Sequence, residues 1–201
     1  MEIKAVIFDW GGVLIDDPAP GLMQYCAKEL DVSKQQYTEA HQKFEADFVK
    51  GLISEDTFWS RICRELNMPK PKVPSLWAEA FKVAYIPRED MFSMAASLRR
   101  DGYKTAVLSN TEIPAMQYFY QLQYDMFDVL VFSCAKRMKK PEREIYELTV
   151  ERLGVAVEQS VFIDDRLEYI KGAKQAGLKT ILFRSIEQVK TELAKLNVKV
   201  D

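Results

Sequence analysis

The chain is poor in the residues that build metal centres and covalent cross-links. Its 201 residues include one histidine, His41, and three cysteines, Cys26, Cys63 and Cys134. The cysteines are odd in number and widely spaced, with no CxxC pair and no Cys/His cluster. Nothing in that spacing suggests zinc or a disulfide framework, and a reduced cytoplasmic protein is expected. A Ser-His-Asp hydrolase would have to use His41, and no nucleophile-elbow motif accompanies it. No stretch approaches the roughly 18 apolar residues of a membrane span. The first apolar run is short, follows an acidic residue and is broken by Asp9, so it does not read as a secretory leader. The net charge of −2 points to neither nucleic acid nor an anionic membrane as a partner. Internal repeats and low-complexity segments are absent as well.

What is present begins with Ala5-Val6-Ile7-Phe8, a run apolar at every position, as a strand buried on both faces would be. It ends in Asp9, Trp10, Gly11 and Gly12. A carboxylate at the C-terminal tip of such a strand lies where open α/β sheets bind ligands, and glycines let the backbone bend and approach one closely. On this segment alone, an Asp-Gly turn explains the pattern equally well.

Residues 18 to about 86 then show helical spacing and no strand. Leu22, Met23, Cys26, Ala27 and Leu30 share one face. Ser33 is placed to cap a helix carrying Tyr37, Ala40, Phe44, Phe48 and Val49 inward, with Gly51 at its C-terminal stop. Ser54, followed by Glu55 and Asp56, opens a helix with Phe58, Ile62 and Leu66 on one stripe. Three prolines between Met68 and Pro74 form a linker, and Ser75 to Tyr85 is a fourth short helix.

From Pro87 strands and helices alternate. Helices are predicted at Arg88–Arg100, Ile113–Leu122, Pro141–Leu153, up to Ala176, and Ile186–Leu196; strands at Tyr103–Leu108, Phe127–Phe132, Ser160–Ile163 and Lys179–Phe183. Alternation of this kind implies a parallel sheet under helices. The first strand belongs with those after residue 100, because the intervening helices offer it no partner. The expected fold is therefore α/β: a Rossmann-like three-layer sandwich built from residues 1–16 and 88–201, with an all-helical cap, residues 17–87, inserted.

Four strand ends then carry polar groups on one edge of that sheet: Asp9, Ser109, the basic loop Lys136 to Lys140, and Asp164-Asp165. Any one of these alone reads as a turn or cap residue; together, in this order, they form a constellation. The segments Phe8-Asp9-Trp10-Gly11-Gly12-Val13-Leu14, Val107-Leu108-Ser109-Asn110-Thr111, Lys140-Pro141 and Phe162-Ile163-Asp164-Asp165 with Gly172-Ala173 and Ala176-Gly177 resemble the four motifs of the haloacid dehalogenase-like hydrolase superfamily. Within it the chain resembles the α-glucose-1-phosphatase type of sugar phosphatase, with Gly51-Leu52-Ile53-Ser54 and Phe58 in the cap adding to the likeness. The resemblance implies Asp9 as nucleophile, Ser109 and Lys140 as catalytic partners, and Trp10, Gly11, Ser109, Asn110 and Lys140 around the phosphate of a small phosphorylated substrate. It also implies Mg²⁺, held by Asp9, the Gly11 carbonyl and Asp165, with Asp164 supporting; counting back from Gly177 selects Asp165 as the ligand.

The chain departs from the family pattern twice. Most phosphatases of the superfamily carry a second aspartate two residues after the nucleophile as acid and base, and here that residue is Gly11. General acid–base catalysis is worth about 10² to 10⁴ in rate. A leaving group that needs little help, a replacement acid such as Asp16, Asp17 or His41, or a protein that only binds a phosphometabolite or a partner protein would each answer that loss. Tyr169 is the second departure, standing where the family has Asp or Asn beside the metal. Two other branches stay open. Dehalogenases need no metal but carry tyrosine at the position of Gly11. Phosphonoacetaldehyde hydrolases share an Asp-Trp start and need a cap lysine, for which Lys28, Lys34, Lys43 and Lys50 are available. The cap is expected to choose the substrate, with Trp10, His41, Glu45, Phe48 and Lys50 as candidate lining.

Overall fold

The computed structural model describes residues 2–200. Five strands form one parallel sheet: β1 (Ala5–Phe8), β2 (Lys104–Ser109), β3 (Val129–Phe132), β4 (Ser160–Asp164) and β5 (Lys179–Leu182), in the order β3-β2-β1-β4-β5. β1 is central because all four of its residues are apolar and buried, so it can be covered on both faces. Its alternation divides the interior. Ala5 and Ile7 face a layer made by α9 (Arg143–Leu153) and α10 (Leu167–Gln175). Val6 and Phe8 face α6 (Glu89–Arg100), α7 (Ile113–Gln121) and α11 (Ile186–Lys195). The result is the expected three-layer sandwich.

Between β1 and α6 the chain builds helices only: α1 (Ala19–Glu29), α2 (Lys34–Gln42), α3 (Glu45–Val49), α4 (Glu55–Glu65) and α5 (Leu76–Ala84). The hydroxyls of Ser33, Ser54 and Ser75 accept from Gln36, Thr57 and Ala78 N–H groups, so each caps its helix. The predicted single helix after Ser33 is two helices, because the backbone leaves helical geometry at Phe44 (φ −126°). α8 (Ser133–Lys136) and a 3₁₀ turn (Val157–Gln159) lie where none was predicted. Pro141 does not begin α9; Glu142 closes a turn onto the Lys139 carbonyl, and the helix starts at Arg143.

Two linkers join the helical layer to the sandwich, and they run side by side. Asp16 N–H bonds the Ile86 carbonyl and Arg88 N–H the Leu14 carbonyl, both at 2.9 Å. Arg88 reinforces them, donating to Asp16 Oδ1 at 2.9 Å and to the Gly12 carbonyl at 2.6 Å. The helical layer shares one apolar cluster with a sheet face: Trp10, one residue past Asp9, has its ring 4.9 Å from Phe81 of α5 and 5.0 Å from Phe119 of α7. Among the described residues no helix is long and apolar enough to cross a membrane.

Candidate active site

The strand order reverses its chain direction around β1, and ligands of open α/β sheets bind at such switch points. The parallel register Phe8↔Ile163 sets Asp9 beside Asp164. β2 ends in Ser109, which faces Phe132 of β3. The four motifs therefore meet because neighbouring strands end at the same level.

Lys140 is the centre of the charge arrangement. Its side chain is fully buried, and Nζ lies 2.8 Å from Asp9 Oδ1 and 2.7 Å from Asp164 Oδ2. Burial disfavours the ammonium, but the two carboxylates more than offset it and hold its pKa above the usual lysine range. The rings of Phe162 and Tyr169 pack around Nζ, at 5.3 and 4.8 Å. Asn110 fixes the backbone here: its Oδ1 accepts from Lys140 N–H at 2.8 Å and its Nδ2 donates to the Lys140 carbonyl at 3.0 Å. The Asn110 side chain thus positions Lys140, a role its expected place beside the phosphate did not reveal.

Asp9 Oδ1 is also pinned by Trp10 N–H at 2.7 Å, which leaves Oδ2 without a hydrogen bond among the described residues. Burial pushes the Asp9 carboxyl well up; Lys140 opposes this and Asp164 and Asp165 add to it. Asp164 is engaged at both oxygens, Oδ2 by Lys140 and Oδ1 by Arg166 N–H at 2.8 Å. Asp165 stands at the exposed rim against Gly12, where a Cβ would lie 2.4 Å from its carboxylate. Gly12 also has φ +87°, so only glycine suits this approach.

Asp9, Asp164 and Asp165 each place one oxygen within 4.8 Å of the others. Three carboxylates against one ammonium leave excess negative charge, and Asp165, like Asp9, is held above its ordinary range by burial and by Asp164. A hard, all-oxygen donor set of this kind fits a divalent cation such as Mg²⁺.

A cavity of about 480 Å³ rises from these residues to the helical layer. Asp9, Trp10, Gly11, Ser109, Asn110, Lys140 and Asp165 border it, so the predicted site residues converge, with Asp164 just beneath. Of the candidate lining, His41 and Glu45 border the cavity. Phe48 is packed between Phe58 and Trp77, and Lys50 is paired with Glu142. Trp10 is 1% exposed in an aromatic cluster, which makes it chiefly a packing residue. Among the candidate acids, Asp16 is held by Arg88, while Asp17 borders the cavity and accepts from Ala19 N–H. A Cβ on Gly11 would meet Pro18 Cδ at 3.1 Å, so the family's second aspartate would press on the start of the helical layer. Tyr169 replaces the family's small polar group with a ring that covers Lys140 and a hydroxyl that accepts from Arg166 Nη1 at 3.0 Å.

The spacing of motifs did not reveal Trp77 or Glu112. Trp77 Nε1 donates to Glu112 Oε2 at 3.0 Å, joining α5 to the loop before α7, and both border the cavity. The only signal was position, since Glu112 stands three residues beyond Ser109.

The chain belongs to the haloacid dehalogenase-like hydrolases, whose family description matches residues 3–177. Its relatives include acyl-CoA dehydrogenase family member 10 of Mus musculus, 29% identical over 96% of this chain but only 19% of the longer protein. The chain thus spans about a fifth of that relative. The sesquiterpene phosphatase AstK of Aspergillus oryzae is 25% identical over 87% of both chains. A HAD family enzyme of Bacteroides thetaiotaomicron, solved with magnesium and inorganic phosphate, superposes with a TM-score of 0.71 at 25% identity, covering 92% of this chain and 96% of that one.

Proposed function

We propose that the protein is a Mg²⁺-dependent phosphomonoesterase acting on a small phosphorylated metabolite. The observation that carries this is Asp9: one carboxylate oxygen is fixed by Lys140 and Trp10 N–H, and the other is unbonded beside the cavity. Asp9 Oδ2 attacks phosphorus as the bond to the leaving alcohol's oxygen breaks, and that oxygen takes a proton from solvent. Water then attacks the phosphorus of the aspartyl phosphate, the bond from phosphorus to Asp9 breaks, and the water's proton passes to solvent, which releases phosphate and restores the carboxylate. Lys140 balances charge on the transferring group, and Ser109 holds one of its oxygens. Asp9, the Gly11 carbonyl and Asp165 would hold the metal, with Asp164 supporting through Lys140. When bound, Mg²⁺ neutralises charge on the phosphoryl oxygens. Residues 17–87 act as the cap that closes this site over the core of residues 1–16 and 88–201.

The phosphatase among the relatives and the magnesium–phosphate complex of the similar enzyme support the reading. The narrower likeness to α-glucose-1-phosphatases rests on Gly11 and the Gly51 stretch alone. The buried free cysteines suit a reduced, cytoplasmic setting. A second reading follows from Gly11: with no acid there and Pro18 crowding the place of a Cβ, the protein binds a phosphometabolite and turns it over slowly. Phosphate release from a metabolite panel, with Mg²⁺, with EDTA and with Asp9→Asn protein, separates the two. Turnover that survives Asp9→Asn overturns the nucleophile.

A further inference from the structure

The phosphoryl chemistry uses the floor of the cavity and leaves part of its roof without a task. His41 of α2 is 7% exposed and borders the cavity, and its Nε2 has no hydrogen-bond partner among the described residues. Its ring lies flat on Trp77, with centroids 5.5 Å apart and planes at 8°. Trp77 in turn donates to Glu112 Oε2. Three side chains from three segments, two in the cap and one in the core, therefore hold one another around one cavity. An unpaired polar atom in such a place is costly unless a ligand completes it.

We propose that His41, Trp77 and Glu112 form a reading site for hydroxyls of the leaving group, so that the preferred substrate is the phosphate ester of an uncharged, hydroxylated alcohol. The inference rests on the phosphomonoesterase reading and adds its substrate class. Burial pulls the His41 imidazole below its ordinary range against the pull of Glu45, so at neutral pH the ring is uncharged. Burial lifts the Glu112 carboxyl to about 7, with Glu45 adding to it, so near neutrality it both donates and accepts. Tyr37 and Cys134, the other titratable groups whose electrostatics Glu112 reaches, are themselves pushed up by burial and uncharged. Leu22, Met23 and Phe81 line the cavity with apolar surface for a carbon skeleton. A purely apolar alcohol would leave His41 and Glu112 unsatisfied. A second phosphate would meet Glu45 and Glu112.

The test compares glucose 6-phosphate with n-hexyl phosphate, which has the same carbon count and no hydroxyls, and with 2-aminoethyl phosphate. Wild-type protein should favour glucose 6-phosphate over both in kcat/KM by at least about tenfold, the minimum expected where hydroxyl partners are built in. His41→Phe keeps the stacked ring and removes the nitrogens; Glu112→Leu removes the carboxyl. Each should lower the ratio of glucose 6-phosphate to n-hexyl phosphate about tenfold, and Glu112→Gln, which keeps an acceptor for Trp77, should lower it less. A ratio left unchanged by both His41→Phe and Glu112→Leu in proteins that melt cooperatively overturns the proposal, as does a wild-type preference for either competitor. The same ratios read as Kd on Asp9→Asn protein separate the two claims. Selective binding without turnover by wild type ends the phosphomonoesterase reading and upholds the reading site; turnover without selectivity does the reverse.

Discussion

At the floor of the cavity, Asp9, Lys140, Asp164 and Asp165 crowd around the tips of β1 and β4, while the roof is made of the Trp77 and Phe81 rings of α5 and the buried His41 imidazole of α2. The floor is placed by backbone: the β1–β4 register sets two carboxylates side by side, and Asn110 clamps the main chain of Lys140. The roof is placed by side chains packing between segments far apart in sequence, such as Trp77 with Glu112. Polar and close backbone contacts add to the apolar cluster that the helical layer shares with the sheet face. Ser133 Oγ donates to the Val49 carbonyl at 2.6 Å, and Gly51, at φ +65°, lies where a Cβ would sit 2.2 Å from the Cys134 carbonyl.

The strongest way to break this contrast is at Asp9. Asp9→Asn should lower phosphate release at least roughly 10³-fold, the scale seen when a member of a catalytic unit is removed, whereas no single roof substitution should approach that loss. Lys140→Met comes next. It leaves Asp9 and Asp164 buried without a counter-charge and should cost about 3 to 5 kcal/mol in chemical denaturation, against about 1 to 2 kcal/mol for Trp77→Phe, which loses one hydrogen bond. Equal costs would mean that the floor is no more constrained than the roof.

Metal addition sharpens the comparison further. Mg²⁺ at about 100 times its Kd should stabilise the wild-type protein by about 2.7 kcal/mol, visible as a rise in Tm that Asp165→Asn removes and Trp77→Phe retains. The smallest effect is a pH slope at the roof. Glu112 moves from 4.5 to about 7 on folding, so the folded chain binds more protons between those values. The stability this group contributes is full below pH 4.5 and is lost as pH rises through about 7. Glu112→Gln should flatten that part of the stability curve; a slope unchanged in urea titrations from pH 5 to 8 would place Glu112 in water.

Much of the floor is legible in the order of residues alone. The run Ala5–Phe8 is apolar on both faces, so it had to lie inside a covered sheet, and the strands that follow end in Ser109 and Asp164. Serines at 33 and 54 marked helix starts because their hydroxyls satisfy N–H groups that every helix leaves open. Less legible were the break at Phe44, the short α8 and the delayed start of α9, where spacing continues but the backbone turns. The doubling of Asn110 as a clamp and of Tyr169 as a cover for Lys140 left no trace in spacing either.

The order of apolar runs and turn residues by itself determined the parallel sheet, the inserted helices and the convergence of Asp9, Ser109, Lys140 and Asp164-Asp165, because periodicity and strand ends are local properties. The partnership of His41, Trp77 and Glu112, and the pressure of Pro18 on Gly11, were decided only by tertiary structure. These contacts depend on how the inserted helices pack onto the sheet layers, and that fit is set by packing summed over many side chains, with no single residue encoding it.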